Sequence, residues 1–183
     1  MVFGEGVNDL DSKVESYTVW HSMIRRCYSA VYHQCKPSYI GTEVCNDWKL
    51  LSNFDKWFRE NAVTGWQLDK DLLSNYGKLY SEKNCTFLPN EINCAIGYSS
   101  RNDLPSGVSY IKSKGVYCAQ YSRFIDGKRK GVHVLYSTDI DECFEAYKRS
   151  KERHLVELAE RYKSKLSDKA YNALLKFEIK KYN

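Results

Sequence analysis

"GVSYIKSKGVYCAQYSRFIDGKRKGVHVLYSTDIDECFEAYKRSKE", residues 107–152, decides the fold of the second half of the chain. Three runs rich in Val, Tyr and Ile start at Gly107, Gly115 and Gly131, each with a Gly-Val pair, and are separated by "KSKG" and "RFIDGKRKG". β-Branched and aromatic runs bounded by glycine-bearing turns predict three antiparallel strands. The period then changes: Ile140, Phe144, Tyr147, Leu155, Leu158 and Tyr162 fall on one helical stripe. Thr138 is the expected N-cap, with Asp141 three residues on, the capping-box arrangement. A sheet covered by one helix keeps its other face open, so Tyr117, Ala119 and Tyr121 are expected toward the helix and Cys118, Gln120 and Ser122 toward solvent. Ser167 opens a final helix through Ala170, Leu174, Leu175 and Phe177.

Upstream, "VESYTVWHSMIRRCYSA" spaces Tyr17, Trp20, Met23, Ile24 and Cys27 as one apolar helical face, with Ser16 as its cap. "YHQCKPSYIGTEVC", broken by Pro37 and Gly41, reads as loop with a short extended piece. Helical spacing resumes in "DWKLLSNFDKWFREN" through Trp48, Leu51, Phe54, Trp57 and Phe58, aromatics read as core. Residues 66–73 and 79–88 predict a hairpin with "SNYGK" as turn chemistry, and "NEINCAIG" begins a short helix. "YSSRNDLPSG" is the clearest linker, which places a boundary near residues 97–106. The predicted class is α+β: a helical and ββα region over residues 1–98, then a three-stranded antiparallel sheet packed on a long helix, with a helical extension, over 105–183.

At 183 residues, 43% hydrophobic and 28% charged, the chain has the composition of a globular protein. No apolar run approaches the roughly 18 to 20 residues that cross a bilayer, and "MVFGEGVNDLDSKVES" lacks the basic-then-apolar plan of a signal peptide. No membrane association and a cytoplasmic location are therefore expected. The seven cysteines contain no CxxC pair and read as small buried hydrophobes; a zinc site from Cys27, Cys35, Cys45 and Cys85 has little support from spacing. Charge is unevenly placed: residues 1–100 carry 10 Lys/Arg against 12 Asp/Glu, and residues 101–183 carry 18 against 11. From Arg101 to Gly131 the bias sharpens, with Lys112, Lys114, Arg123, Lys128, Arg129 and Lys130 facing only Asp103 and Asp126. A polyanion suits such a surface, and a solvated basic face without a partner is the alternative.

On these motifs, residues 105–150 resemble the Apetala-two type DNA-binding domain: a Gly-Val strand, a strand with an aromatic-x-Ala core, a Gly-Lys-Arg turn, a third strand and a helix ending in Ala-Tyr. The resemblance implies that the sheet enters the major groove of duplex DNA. Carried over by position, the contacts are Ser109, Ile111, Gln120, Ser122 and His133, with Lys112 and Arg123 beside them and Lys128, Arg129 and Lys130 on the DNA backbone. Where the family offers arginine and tryptophan, this chain offers Ser109, Ile111 and Ser122, so arginine-to-guanine readout is mostly missing and base preference falls to Gln120 and His133. His133 alternatively is a half-buried strand residue. His154 reads as a surface or helix-packing residue.

Residues 16–96 resemble the N-terminal regions of phage proteins grouped with HNH homing endonucleases, through "YTVWHSMIRRCYS", "VCNDWKLLSNFDKWF", "LDKDLL" and "YSEKNCTFLPNEIN" in that order. That resemblance implies a ββα nuclease core and a Mg²⁺ ion. On the hairpin, Asp69 matches the acidic residue before the catalytic base, Lys70 stands where the histidine would be, and Asn84 and Asn93 match later polar positions. A lysine, with an ordinary pKa of about 10.4, is protonated at neutral pH and is no general base. Asp69 and Asp71, spaced i, i+2, are expected to share one strand face and a Mg²⁺ ion, or else to pair with Lys70, Lys78 or Lys83. Three readings follow: a phage or mobile-element duplex-DNA-binding protein with weak or absent cleavage, an active Mg²⁺-dependent endonuclease, or a regulatory binder of a host protein.

Overall fold

The computed structural model describes residues 1–11, 13–97 and 103–182. The fold is α+β, and the chain divides into two compact units, Met1–Leu88 and Pro89–Asn183. The division lies upstream of the linker expected at residues 97–106, of which 98–102 fall outside the described residues.

The first unit runs α1 (Ser16–Tyr28), α2 (Ala30–Cys35), β1 (Glu43–Val44), α3 (Leu51–Asn61), β2 (Gln67–Asp69), α4 (Asp71–Ser74), β3 (Leu79–Tyr80) and β4 (Thr86–Leu88). The apolar spacing of α1 and α3 buries Trp20, Met23 and Ile24 against Trp48, Leu51, Phe54, Trp57 and Phe58, so these aromatics are core. The Trp20 indole N–H donates to the Trp48 carbonyl at 2.8 Å, which lets the ring be buried without an orphaned donor. Ser16 is not the cap of α1; it is buried, and its hydroxyl donates to Asp55 Oδ1 at 2.6 Å. Where a loop was expected, Ala30–Cys35 is helical, its Ser29 hydroxyl accepting the Tyr32 N–H at 3.2 Å.

The hairpin exists in shortened form. β2 and β4 pair antiparallel with Leu68 opposite Phe87 and Asp69 opposite Thr86, while the chain between them turns through α4 and contributes β3, parallel to β1. Pairing with β1 comes from distant residues, which is why the local pattern did not disclose it.

The second unit comprises α5 (Asn90–Ile96), β5 (Val108–Ile111), β6 (Val116–Ile125), β7 (Lys128–Ser137), α6 (Ile140–Tyr162) and α7 (Asp168–Leu175). The helix expected to complete a ββα core is α5, and it packs with α6 and β6 inside this unit. The antiparallel sheet, in order β5-β6-β7, lies on α6. Tyr117, Ala119 and Tyr121 join the cluster formed with Val108, Cys143, Phe144 and Tyr147, as the alternation predicts. The cap of α6 is Asp139, one residue later than expected: its carboxylate accepts the Asp141 N–H at 2.8 Å and the Glu142 N–H at 3.3 Å. Ser167 caps α7 as predicted, accepting the Ala170 N–H at 3.3 Å.

Gly107 is required twice over. Its φ of +69° is left-handed, and a Cβ there would stand 2.1 Å from the Tyr147 ring.

Candidate nucleic-acid interface

β6 and β7 are longer than the sequence suggests. The turn between them is Asp126–Gly127, both with positive φ, as a two-residue hairpin of type I′ requires. Lys128, Arg129 and Lys130, expected in the turn, are therefore strand residues and must alternate. Arg123 pairs with Lys130 and Ile125 with Lys128, in line with Tyr121 on the face that α6 covers nearer the sheet centre. Phe124 pairs with Arg129, in line with Gln120 and Ser122 on the open face.

The open face thus carries Ser109, Ile111, Gln120, Ser122, Arg129 and His133, and the face of Tyr121 carries Arg123, Lys128 and Lys130. Lys112 is exposed in the turn after β5. Gln120 and His133 stand directly opposite one another and are both exposed, so His133 is not a half-buried strand residue. Cys118, expected toward solvent, is buried on this face between its partners Ser109 and Tyr136.

A bulge at Ala119/Gln120 shapes the surface. Ala119 pairs with Leu135 but Gln120 with His133, so Val134 is the extra residue of β7. His133 and Tyr136, which strict alternation would send to opposite faces, both lie on the open one, with ring centroids 4.0 Å apart. Lys114 Nζ sits 5.2 Å from the Tyr136 ring centroid. Tyr136 is 48% exposed and Tyr110, at the sheet edge, 47%. The basic run in the sequence included Lys114, but Tyr136 was not singled out, because a one-residue bulge leaves no mark on hydrophobic periodicity.

The residues assigned to cleavage are arranged otherwise than in a nuclease site. β2 ends at Asp69, so Asp69 and Asp71 are not successive residues of one strand face. Asp69 is 5% exposed, and its Oδ1 accepts the Leu72 N–H at 2.9 Å and the Asp71 N–H at 3.1 Å, tying down the start of α4. Burial pushes its carboxyl up to about 6; the Leu72 amide opposes that shift and the Asp71 charge adds to it. Lys70 is buried, its ammonium 2.5 Å from Asp71 Oδ1 and 5.8 Å from the Tyr80 ring centroid. Of the lysine pairings expected for these carboxylates, Asp71 makes the one with Lys70, while Asp69 is held by backbone amides.

Asn84 donates from Nδ2 to the Leu79 carbonyl at 3.1 Å and shapes a turn, while Asn93 belongs to α5 in the second unit. Among the described residues no group of three or more His, Cys, Asp or Glu is placed to hold a metal ion. Mg²⁺ takes an open octahedron of oxygens, and these carboxylates, one turned to backbone amides and one to an ammonium, do not fit it. Of the cysteines proposed for zinc, Cys27 and Cys85 are buried, Cys45 is half-buried and Cys35 is exposed. Burial pushes the Cys27 thiol up to about 12 and raises the Cys85 thiol as well.

Among the described residues no helix is long and apolar enough to cross a membrane. Comparison with protein-family models, with curated proteins and with solved structures gives no match to this chain. The functional reading rests on the residues and their arrangement.

Proposed function

We propose that this chain is a duplex-DNA-binding protein of phage or mobile-element type, related to HNH homing endonucleases, whose open β5–β6–β7 face docks on DNA and whose cleavage is weak or absent. The observation that carries the reading is the exposed group Gln120, His133, Tyr136 and Lys114, gathered on the one sheet face that α6 leaves uncovered. A narrow antiparallel sheet fits a major groove of about 12 Å. Gln120 offers both a donor and an acceptor to base edges, His133 adds a second polar edge, and Tyr136 a flat apolar one. Lys112, Lys114 and Arg129 lie beside them to meet phosphates. Weak cleavage follows from the first unit, where a buried lysine paired with Asp71 stands at the position expected for the base.

Two measurements on the purified protein test this. Binding to a mixed-sequence duplex should weaken steeply between about 50 and 200 mM salt. Plasmid incubated with Mg²⁺ or Mn²⁺ should show no nicking above background. Robust cutting abolished by Asp69→Ala would overturn the second half of the proposal. Absence of both binding and cutting would overturn the whole of it and leave the face to a host protein.

A further inference from the structure

On the side of the sheet opposite the open face, α6 places two polar residues in its apolar stripe. Lys151 is 5% exposed and His154 3% exposed, on consecutive turns of the helix. Both lie against Tyr121: Lys151 Nζ is 5.2 Å from that ring's centroid, and the His154 ring 5.7 Å. Ser150 Oγ donates to the Tyr121 hydroxyl at 3.5 Å. Neither nitrogen of His154 has a hydrogen-bond partner, the carboxylate of Glu157 standing 3.7 Å from Nδ1. Among the described residues no carboxylate pairs with Lys151.

Around this pair the sheet adds further positive charge. Arg123 follows Tyr121 on the same face of β6, with Lys130 opposite it on β7. The Arg123 charge bears on His154, and that of Arg129, from the open face, on Lys151. Glu157, half exposed, stands within ion-pair distance of the imidazole. Arg123 is half-buried and Lys130 opposite it exposed, so this face meets solvent toward the hairpin tip.

A buried cation without counter-charge is costly, and a buried imidazole with two orphaned nitrogens forgoes the hydrogen bonds that would offset its desolvation. Burial, reinforced by Arg129, pushes Lys151 down to about 8, and burial with the Lys151 charge lowers His154. An oxyanion would relieve each of these costs at once. It would accept from the ammonium and the guanidinium, and it would favour a protonated His154. Apolar packing alone explains none of them, since Leu or Met at position 151 would fill the same space.

We infer that the helix side of the β6–β7 hairpin binds a tetrahedral phosphate group between Lys151, Arg123 and His154. The site is separate from the open face, and its ligand is either a backbone phosphodiester or free phosphate.

The probe is inorganic phosphate, titrated at constant ionic strength against chloride while the His154 ring resonances are followed by NMR. Saturable shifts are expected in phosphate alone, with His154 titrating at higher pH in its presence. Lys151→Met, which keeps the apolar stem, and Arg123→Gln, at a half-buried position, should each weaken phosphate binding at least tenfold. Shifts no different from those in chloride, or full phosphate binding by both variants while folded, would overturn the inference. Because no nucleic acid is present, that failure is distinct from failure of the DNA-binding proposal. A second arm identifies the source. Phosphate that displaces a DNA duplex from the wild-type chain but not from Lys151→Met assigns the site to the nucleic-acid backbone, and duplex affinity that responds to phosphate and chloride alike assigns it to free phosphate.

Discussion

His133 and Tyr136 sit three residues apart on one strand and face the same way, their ring centroids 4.0 Å apart, because the extra residue Val134 shifts the register between them. The consequence is a flat aromatic and polar surface where alternation alone would have left His133 by itself. Tyr136→Ala should lower affinity for duplex DNA about fivefold or more, and His133→Ala and Gln120→Ala should relax base preference, each good base contact being worth roughly 1 to 3 kcal/mol. Fluorescence anisotropy and a binding-site selection measure the two effects. Since Tyr136 is half exposed, thermal stability should change little, and an unchanged motif in the Gln120/His133 double variant would remove these residues from readout.

The basic residues of the hairpin should separate by face. Arg129→Ala is expected to weaken DNA binding uniformly across sequences and to reduce the salt slope by about one. Lys128→Ala and Lys130→Ala, on the other face, should have smaller effects. Equal losses from all three would mean that the tip wraps DNA with both faces.

Asp69 gives a pH signature. Burial penalises the charge and pushes its carboxyl up to about 6 in the folded chain, against an ordinary value of about 3.9. The folded state then holds the proton more tightly, so stability is highest below about pH 4, declines as pH rises toward 6 and is level above it. Asp69→Asn keeps an acceptor for the Leu72 and Asp71 amides without the buried charge. It should abolish this decline and raise stability at pH 7 by something on the order of 1 to 3 kcal/mol. Urea unfolding at pH 4, 5, 6 and 7 checks it; a variant less stable than wild type at pH 7 would mean that the charge itself holds α4.

Gly107→Ala should destabilise the second unit. A left-handed alanine costs about 1 to 2 kcal/mol, and the added methyl must displace the Tyr147 ring, the lid of the cluster around Ala119 and Phe144. Calorimetry should show a lower melting temperature, with a larger drop than for Gly115→Ala, where φ is also positive but the space is open.

The local pattern of the chain determined a good deal. Gly-Val starts, a strand-then-helix change of period and the aromatic spacing of α1 and α3 foretold the α+β class, the order β5-β6-β7-α6 and the burial of Trp48, Phe54 and Trp57. The exposure of Gln120 followed from alternation as well, and that of His133 from the position the resemblance gave it. These are short-range properties, carried by residues two to four apart, and periodicity reads them directly. Tertiary structure decided what depends on distant partners. Leu79–Tyr80 is a strand only because Glu43–Val44 lies beside it, and α5 joins the second unit because α6 and β6 offer it a surface. The bulge at Ala119/Gln120 is a matter of register between β6 and β7, which residues of one strand alone do not display. By sequence His154 reads as a surface or helix-packing residue, and only the sheet across the interface, with Tyr121 against both, makes His154 and Lys151 buried.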